Sequence, residues 1–194
     1  RLPRAMQRQR LIIGVSGSSA PHLAWATLKA LRNHPEVETH LVVSKGADKT
    51  IEFEMGSSRS DFEALADVYY DPEDFGAAIS SGSFRTIGMA VVPCSMKTLA
   101  TMATGTVTDL LTRAADVCLK ERRRLVVVPR ETPLSLIHIR NMETLTLAGG
   151  TIMPPAPAFY HQPETIEDLL NQTVGKLLDQ FGISHELYRR WEGR

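Results

Sequence analysis

The amino-acid sequence predicts an α/β fold, a doubly wound parallel β-sheet in a single domain with helices on both faces. Short apolar runs alternate along the whole chain with longer segments of helical spacing, which is the pattern of strand–helix–strand units. The apolar runs, such as residues 10–16 and 124–130, are continuous and lack polar alternation. Such runs are typical of parallel strands buried on both faces. A chain of 194 residues is also long enough for one sizeable core.

In the N-terminal half, apolar runs alternate with segments of helical spacing. Leu23, Ala26, Ala30 and Leu31 recur at the three- and four-residue intervals of one helix face. The predicted strands are residues 10–16 and 37–45, and the predicted helices are residues 20–34, 46–55 and 59–68.

The C-terminal half repeats the alternation, and glycines end several helical segments. Gly105, Gly150 and Gly182 follow the last helical positions, and Arg122 and Arg123 favour the end of another helix. The predicted strands are residues 88–95, 124–130 and a short one from 151, and the predicted helices are residues 96–105, 107–123, 135–150 and 164–183. One face of the last helix is expected to be buried, with Ile166, Leu169, Leu170, Val174, Leu177, Leu178 and Phe181. Residues 1–9 are expected to form a disordered leader, 10–183 the domain and 184–194 a tail.

Composition excludes several classes of function. Lys plus Arg and Asp plus Glu both number 22, so nothing indicates a nucleic-acid or anionic-membrane partner. No apolar run approaches the roughly 20 residues of a membrane span. Cys94 and Cys118 fit neither a metal-ligand spacing nor a disulfide framework, so we expect a reducing, cytoplasmic compartment.

Ligands of such folds bind outside the carboxyl ends of the strands, and small residues occupy two of these loops. Residues 16–19 read Ser-Gly-Ser-Ser, which lets backbone N–H groups approach an anion but is also common in purely structural turns. The glycine pattern of dinucleotide-binding loops is absent, and Ser44 stands where such an enzyme needs Asp or Glu. NAD is therefore disfavoured, whereas Ser44 could bind a ligand or cap the next helix.

The loops after the third and fourth strong strands carry hydroxyl and charged side chains. Ser95 and Thr98 stand at a predicted helix start and could hold a phosphate or cap the helix, although no Walker motif is present. Arg130 and Glu131 leave a buried strand, where charges are costly unless they bind something or pair. Two anion sites are indicated, one on hydroxyl residues and one on Arg and Lys.

Four segments together resemble the flavin prenyltransferase (UbiX-type) family. They are "IIGVSGSS", "ETHLVVSK", "PCSMKTLA" with "RAADVCLKERR", and "LVVVPRETPLSLIHIRNM" with "IMPPAPAFYHQPETIEDLLNQ". The resemblance implies a Rossmann-like fold, assembled as a dodecamer, that joins dimethylallyl from dimethylallyl phosphate to N5 and C6 of reduced FMN without a metal. The product, prenylated FMN, would serve a UbiD-type decarboxylase.

The resemblance also implies the site residues by position. Ser19 would lie near flavin N5, Glu54 matches an acidic position, Lys120 is catalytic, and Glu131 would take part in proton transfer. The FMN site would use Gly17, Ser18, Ser19, Ser44, Ser95, Met96, Lys97, Thr98 and Arg130. The prenyl phosphate would contact Arg113, Lys120, Arg130, Tyr160 and Lys176, some of them from a neighbouring subunit.

Two other functions stay open at this point. One is an FMN-dependent cysteine decarboxylase relative, which would not need the cluster of Arg113, Lys120, Arg130, Tyr160 and Lys176. The other is a non-catalytic FMN carrier or assembly subunit of a hydroxyarylic acid decarboxylase. The first loop also departs from the family, because Ala20 stands where glycine is usual.

Overall fold

The computed structural model describes residues 7–193 and contains one six-stranded sheet. The strands are β1 (Gln9–Val15), β2 (Val37–Val43), β3 (Val68–Tyr70), β4 (Gly88–Cys94), β5 (Arg124–Pro129) and β6 (Thr151–Ile152). The helices are α1 (His22–Leu31), α2 (Lys45–Met55), α3 (Arg59–Glu63), α4 (Met96–Thr104), α5 (Leu110–Lys120), α6 (Leu136–Leu147) and α7 (Ile166–Gln180). The predicted fold class is confirmed.

All strand pairs are parallel, in the spatial order β3-β2-β1-β4-β5-β6. β2 and β3 therefore lie on one side of β1, whereas β4, β5 and β6 lie on its other side. In sheets of this order the crevice outside the carboxyl ends of the two central strands is the usual ligand site. The topology thus directs attention to the loops that follow Val15 and Cys94.

Alternate side chains of the strands enter two separate cores. Ile13 packs on the face covered by α1, α2, α3 and α7, whereas Ile12 packs on the face covered by α4, α5 and α6. Both side chains are fully buried. This two-sided burial explains why the strands read as continuous apolar runs.

Three expectations for the ends of elements were wrong. Arg8 donates to the carbonyl oxygen of Pro35 at 2.8 Å, and Gln9 begins β1. The leader expected at residues 1–9 therefore does not extend to these two residues, while residues 1–6 lie outside the described part. Ile166 is 77% exposed, because it begins α7 beyond the part of the helix that packs on the sheet. The helix expected over 59–68 ends at Glu63. Val68, which was expected to end that helix, begins the edge strand β3 instead.

Candidate functional site

A cleft of about 370 Å³ lies outside the carboxyl ends of the central strands. Five of the candidate FMN residues line it, namely Gly17, Ser44, Ser95, Lys97 and Thr98. The loops that carry them are braced together by the buried Ser16, whose hydroxyl accepts from the Ser95 N–H at 2.7 Å and donates to the Pro93 carbonyl oxygen at 3.0 Å. The sequence separates these loops by some eighty residues, and the sheet brings them into one wall.

The N-termini of α2, α4 and α5 all open onto this cleft, through Lys45, Lys97 and Asp109 respectively. The first N–H groups of a helix lack intrahelical acceptors and carry the positive end of the helix dipole. The starts of α2 and α4 favour a phosphate at this volume, whereas the start of α5 is capped by the Asp109 carboxylate, which accepts from the Thr112 N–H at 2.8 Å. The cleft is therefore suited to the terminal phosphate of a nucleotide-like ligand.

The hydroxyl residues of the cleft divide between capping and ligand binding. Ser95 caps α4, since its side chain accepts from the Thr98 N–H at 3.2 Å. Ser44 occupies the N-cap position of α2 but makes no side-chain capping bond. The hydroxyl of Ser44 is thus available to a ligand, which the sequence alone left open.

Two glycines face each other at the floor of the cleft. A Cβ atom on Gly17 would lie 2.8 Å from the carbonyl oxygen of Gly46, whereas a Cβ on Gly46 would meet nothing nearer than 3.8 Å. Only a glycine at position 17 allows the loop after β1 to approach the start of α2 so closely. This close approach leaves the backbone N–H groups of both segments near the cleft.

Ser19 and Glu54 form a hydrogen-bonded pair beside the cleft. Glu54 Oε1 accepts from the Ser19 hydroxyl at 2.9 Å and from the Ala20 N–H at 3.0 Å. Ala20 has a φ of +67°, a left-handed conformation that L side chains adopt at a cost. The Glu54 carboxylate therefore holds a strained loop whose conformation glycine would adopt more easily.

We expect Ala20→Gly to raise the free energy of unfolding by up to about 1 kcal/mol, because glycine removes the left-handed penalty. The same substitution at Ala26, inside α1, should lower it by about 1 kcal/mol. Urea unfolding of both variants measures this difference in sign. A loss of stability in Ala20→Gly would show that the loop is not strained.

Ser18 and Met96 have their side chains directed away from the cleft. Ser18 is buried, and its hydroxyl donates to the carbonyl oxygen of Arg130 at 3.1 Å. Met96 packs against the core formed with α4 and α5. Only the backbone groups of these two residues can serve a ligand in the cleft.

Arg130 and Glu131 lie at the same edge of the sheet and are exposed. The Arg130 N–H donates to the Cys94 carbonyl oxygen at 3.3 Å. Glu131 Oε1 accepts from the Thr132 N–H at 3.0 Å. Together with the bond from Ser18, these contacts fix the backbone of Arg130 next to the loop that follows β1.

Two cations that the family resemblance assigns to the prenyl phosphate, Lys120 and Arg113, do not line the cleft of the protomer. Lys120 ends α5, eight residues and about 12 Å along the helix from the cleft residue Thr112. Its ammonium group pairs with Glu121 at 2.7 Å. Arg113 pairs with Asp116 at 2.8 Å and donates to the Ser80 carbonyl oxygen. One protomer therefore does not bring these two cations to its own cleft.

Tyr160 and Lys176 belong to the C-terminal part of the chain. Tyr160 is half exposed, and its ring lies 6.1 Å from that of Trp191 in an edge-to-face arrangement. Lys176 is exposed on α7. The neighbouring His161 has both ring nitrogens buried, with no hydrogen-bond partner among residues 7–193.

Sequence reasoning missed several residues of the cleft. Thr112 donates to and accepts from Asp109 in a capping box that begins α5. This motif can be recognised in the sequence, but its distance of some ninety residues from Gly17 hid its place in the cleft. The residues missed are Lys45, Gly46, Glu73, Thr101, Thr108, Asp109 and Thr112.

The two cysteines are buried and unreactive. Burial raises the pKa of the Cys118 thiol to about 12 and raises that of Cys94 still further, so neither is a thiolate near neutral pH. Within residues 7–193 no three His, Cys, Asp or Glu side chains are grouped to hold a metal ion. In the same range, no helix has the length and apolar character needed to cross a membrane.

Both the sequence and the fold are similar to those of known proteins. Residues 1–178 match the Flavoprotein family. A probable UbiX-like flavin prenyltransferase of Escherichia coli O157:H7 is 54% identical over 184 residues, which cover 95% of this chain and 93% of that protein.

Two crystal structures are also close. AnUbiX (PadA1), in complex with FMN and dimethylallyl pyrophosphate, superposes with a TM-score of 0.94 at 50% identity and covers 97% of this chain and 100% of its own. A dodecameric FMN-dependent UbiX-like decarboxylase from Escherichia coli O157:H7 gives 0.93 at 54% identity, with coverage of 95% and 100%.

Proposed function

The chain belongs to the UbiX-type flavin prenyltransferase family, and we propose that it joins the dimethylallyl group of dimethylallyl phosphate to N5 and C6 of reduced FMN. Prenylated FMN is the product and serves a UbiD-type aromatic acid decarboxylase. The observation that carries the proposal is the cleft at the carboxyl ends of the strands, where the N-termini of α2 and α4 meet the loop after β1, which also carries the Ser19–Glu54 pair. This combination supports both a phosphate-bearing flavin and acid–base chemistry next to it.

The residues of the cleft fit FMN. Its phosphate would accept from the first N–H groups of α4, at Met96 and Lys97, and from the hydroxyl of Ser44. The close approach of Gly17 and Gly46 leaves backbone N–H groups free for the rest of the ligand. Arg130 and the backbone of Ser18 would complete the cofactor side.

The prenyl phosphate site is proposed to be shared between subunits. Lys120 and Arg113 do not line the cleft of their own protomer and pair with carboxylates of α5 and its C-terminal end instead, so neighbouring copies would supply them. The homo-oligomer is proposed to be a dodecamer, like the relative from Escherichia coli O157:H7. Helix α6 supports such assembly, because Leu136, Ile137 and Leu147 on it are 60%, 70% and 81% exposed.

The chemistry divides between the flavin and the side chains. Reduced FMN supplies the nucleophilic atoms. Arg113, Lys120, Arg130 and Lys176 stabilise the negative charge that grows on the leaving phosphate, and Tyr160 donates a hydrogen bond to it. Glu131 or the released phosphate takes up the proton that flavin C6 loses when the second bond forms. Ser19, oriented by Glu54, holds the flavin side of the site.

The enzyme is proposed to act in the cytoplasm. Both cysteines are free and buried, as expected for a protein of a reducing compartment.

The direct test is anaerobic incubation of the protein with reduced FMN and dimethylallyl phosphate, followed by mass spectrometry of the released flavin. We expect the flavin to gain one C5 unit and inorganic phosphate to be released. A parallel reaction with dimethylallyl pyrophosphate compares the two donors. Unmodified FMN that co-purifies with the protein would instead favour the carrier or the oxidative cysteine decarboxylase.

A further inference from the structure

The last residues of the described chain form neither helix nor strand, but they are fixed to α7. Asp179, in the last turn of α7, accepts hydrogen bonds from three side chains of this tail (residues 184–193). The donors are His185 Nε2 at 2.8 Å, the Tyr188 hydroxyl at 2.8 Å and the Arg190 guanidinium at 2.7 and 3.1 Å. One carboxylate therefore holds the whole tail.

The surface of α7 is shaped to receive these side chains. A Cβ atom on Gly175 would lie 2.6 Å from both His185 and Tyr188, so only glycine leaves room for them. His185 Nδ1 accepts from the Leu187 N–H at 3.1 Å, which leaves the proton on Nε2 for Asp179. Leu187 in turn packs against the core on the sheet face that α1, α2, α3 and α7 cover.

The fixed tail carries Trp191 to Tyr160. The two rings meet edge to face with centroids 6.1 Å apart, an arrangement favoured by their quadrupoles. Trp191 is 61% exposed and Tyr160 is 48% exposed, so burial alone does not hold either ring. The adjacent Arg190 pairs with Asp179 at 2.7 Å, which fixes the chain next to Trp191.

We propose that Asp179 is a positioning residue of the prenyl phosphate site: it fixes the tail so that Trp191 orients the ring of Tyr160. This inference rests on the proposed function, in which Tyr160 contacts the prenyl phosphate. Asp179 does not touch the substrate. It acts through Arg190, Trp191 and Tyr160, in that order.

Asp179 and Tyr188 keep their protonation states over a wide pH range. Partial burial favours a higher pKa for Asp179, but the bonds from Arg190, Tyr188 and His185 outweigh it and hold the pKa well below its usual range. Burial and the bond to Asp179 raise the pKa of Tyr188 to about 12, although Arg190 opposes the rise. The contribution of Asp179 is present above its unfolded pKa of about 4, and that of Tyr188 is complete below about 10. We therefore expect Asp179 to stay ionised and Tyr188 to stay neutral between about pH 5 and pH 9.

The test follows Trp191 and the kinetics separately. A Trp25→Phe background leaves Trp191 as the only tryptophan, since the chain has two. In this background we expect Asp179→Asn to increase acrylamide quenching of Trp191. We also expect the KM for dimethylallyl phosphate to rise about tenfold at saturating reduced FMN, with kcat changed less than about twofold.

Two adjacent arginines provide a matched control. Arg190→Ala should reproduce Asp179→Asn, whereas Arg189→Ala should not, because Arg189 makes no side-chain bond within the described residues. Asp179→Asn and Trp191→Ala should also be non-additive in KM, since both act on Tyr160 through one path.

The outcomes separate the inference from the proposed function. Unchanged quenching, a freed Trp191 with unchanged KM, or additive effects on KM would each overturn the inference. A wild-type protein that transfers no prenyl group would overturn the proposed function and the role given to Tyr160. The quenching comparison would then still decide whether Asp179 holds the tail.

Discussion

Glu131→Gln is expected to retain FMN and to lose prenyl transfer. Glutamine keeps an oxygen that can accept from the Thr132 N–H, as Glu131 Oε1 does at 3.0 Å, so the loop should keep its shape. It cannot take up a proton, and loss of a positioned acid or base lowers kcat by about 10²–10⁴-fold. Single-turnover formation of prenylated FMN under anaerobic conditions measures the effect.

The control for this variant is Glu52→Gln, on the exposed face of α2, which should leave kcat unchanged. The dissociation constant for FMN, measured by flavin fluorescence, should agree within about twofold among the wild type, Glu131→Gln and Glu52→Gln. Normal turnover by Glu131→Gln would remove this carboxylate from the mechanism.

Gly17→Ala is expected to cause the largest loss of FMN affinity. Its Cβ would lie 2.8 Å from the carbonyl oxygen of Gly46 and 2.9 Å from the carbonyl carbon, so backbone must move. A shift of this kind displaces the N–H groups that face the cleft, and losing one hydrogen bond to a charged group costs about 1.5–3 kcal/mol, or roughly 10- to 100-fold in the dissociation constant. Equilibrium titration with FMN measures the dissociation constant.

Gly46→Ala is the matched control, because its Cβ would meet nothing nearer than 3.8 Å. Alanine also suits the first turn of α2 better than glycine. FMN affinity equal to wild type in both variants would show that the close approach of the two glycines does not shape the binding site.

The strands were the part of the fold that the sequence predicted best. β1, β2, β4 and β5 lie within one or two residues of the predicted runs, because strands buried on both faces need an unbroken apolar sequence. β3 was missed because it is a short edge strand whose Tyr69 is 58% exposed. Such a strand has little hydrophobic pattern to recognise.

The periodicity of apolar residues predicted which face of a helix is buried better than it predicted how much of the helix is buried. The buried face of α7 includes Val174, Leu177 and Leu178 as predicted. Ile166 lies on the same face but is exposed, since periodicity does not reveal how far along a helix the core extends. Packing against the rest of the fold decides that limit.

The site was predictable only where it lies close along the chain to a strand end. The loops after β1, β2 and β4 do converge as expected from parallel topology. The contribution of Asp109 and Thr112 depends on how α5 packs, which the local sequence does not specify. The roles of Lys120 and Arg113 come from the family resemblance alone, because no single protomer assembles them.

If catalysis occurs at a site shared between subunits, two inactive variants should restore activity when they are mixed in one oligomer. Glu131→Gln and Lys120→Ala subunits are co-expressed with different affinity tags, and oligomers carrying both tags are purified. We expect the mixed oligomers to prenylate FMN at about a quarter of the wild-type rate. If Glu131 comes from one subunit and Lys120 from its neighbour, random pairing in a symmetric assembly leaves one site in four with both side chains intact. Mixed oligomers as inactive as each parent would instead place Glu131 and Lys120 in the site of a single chain.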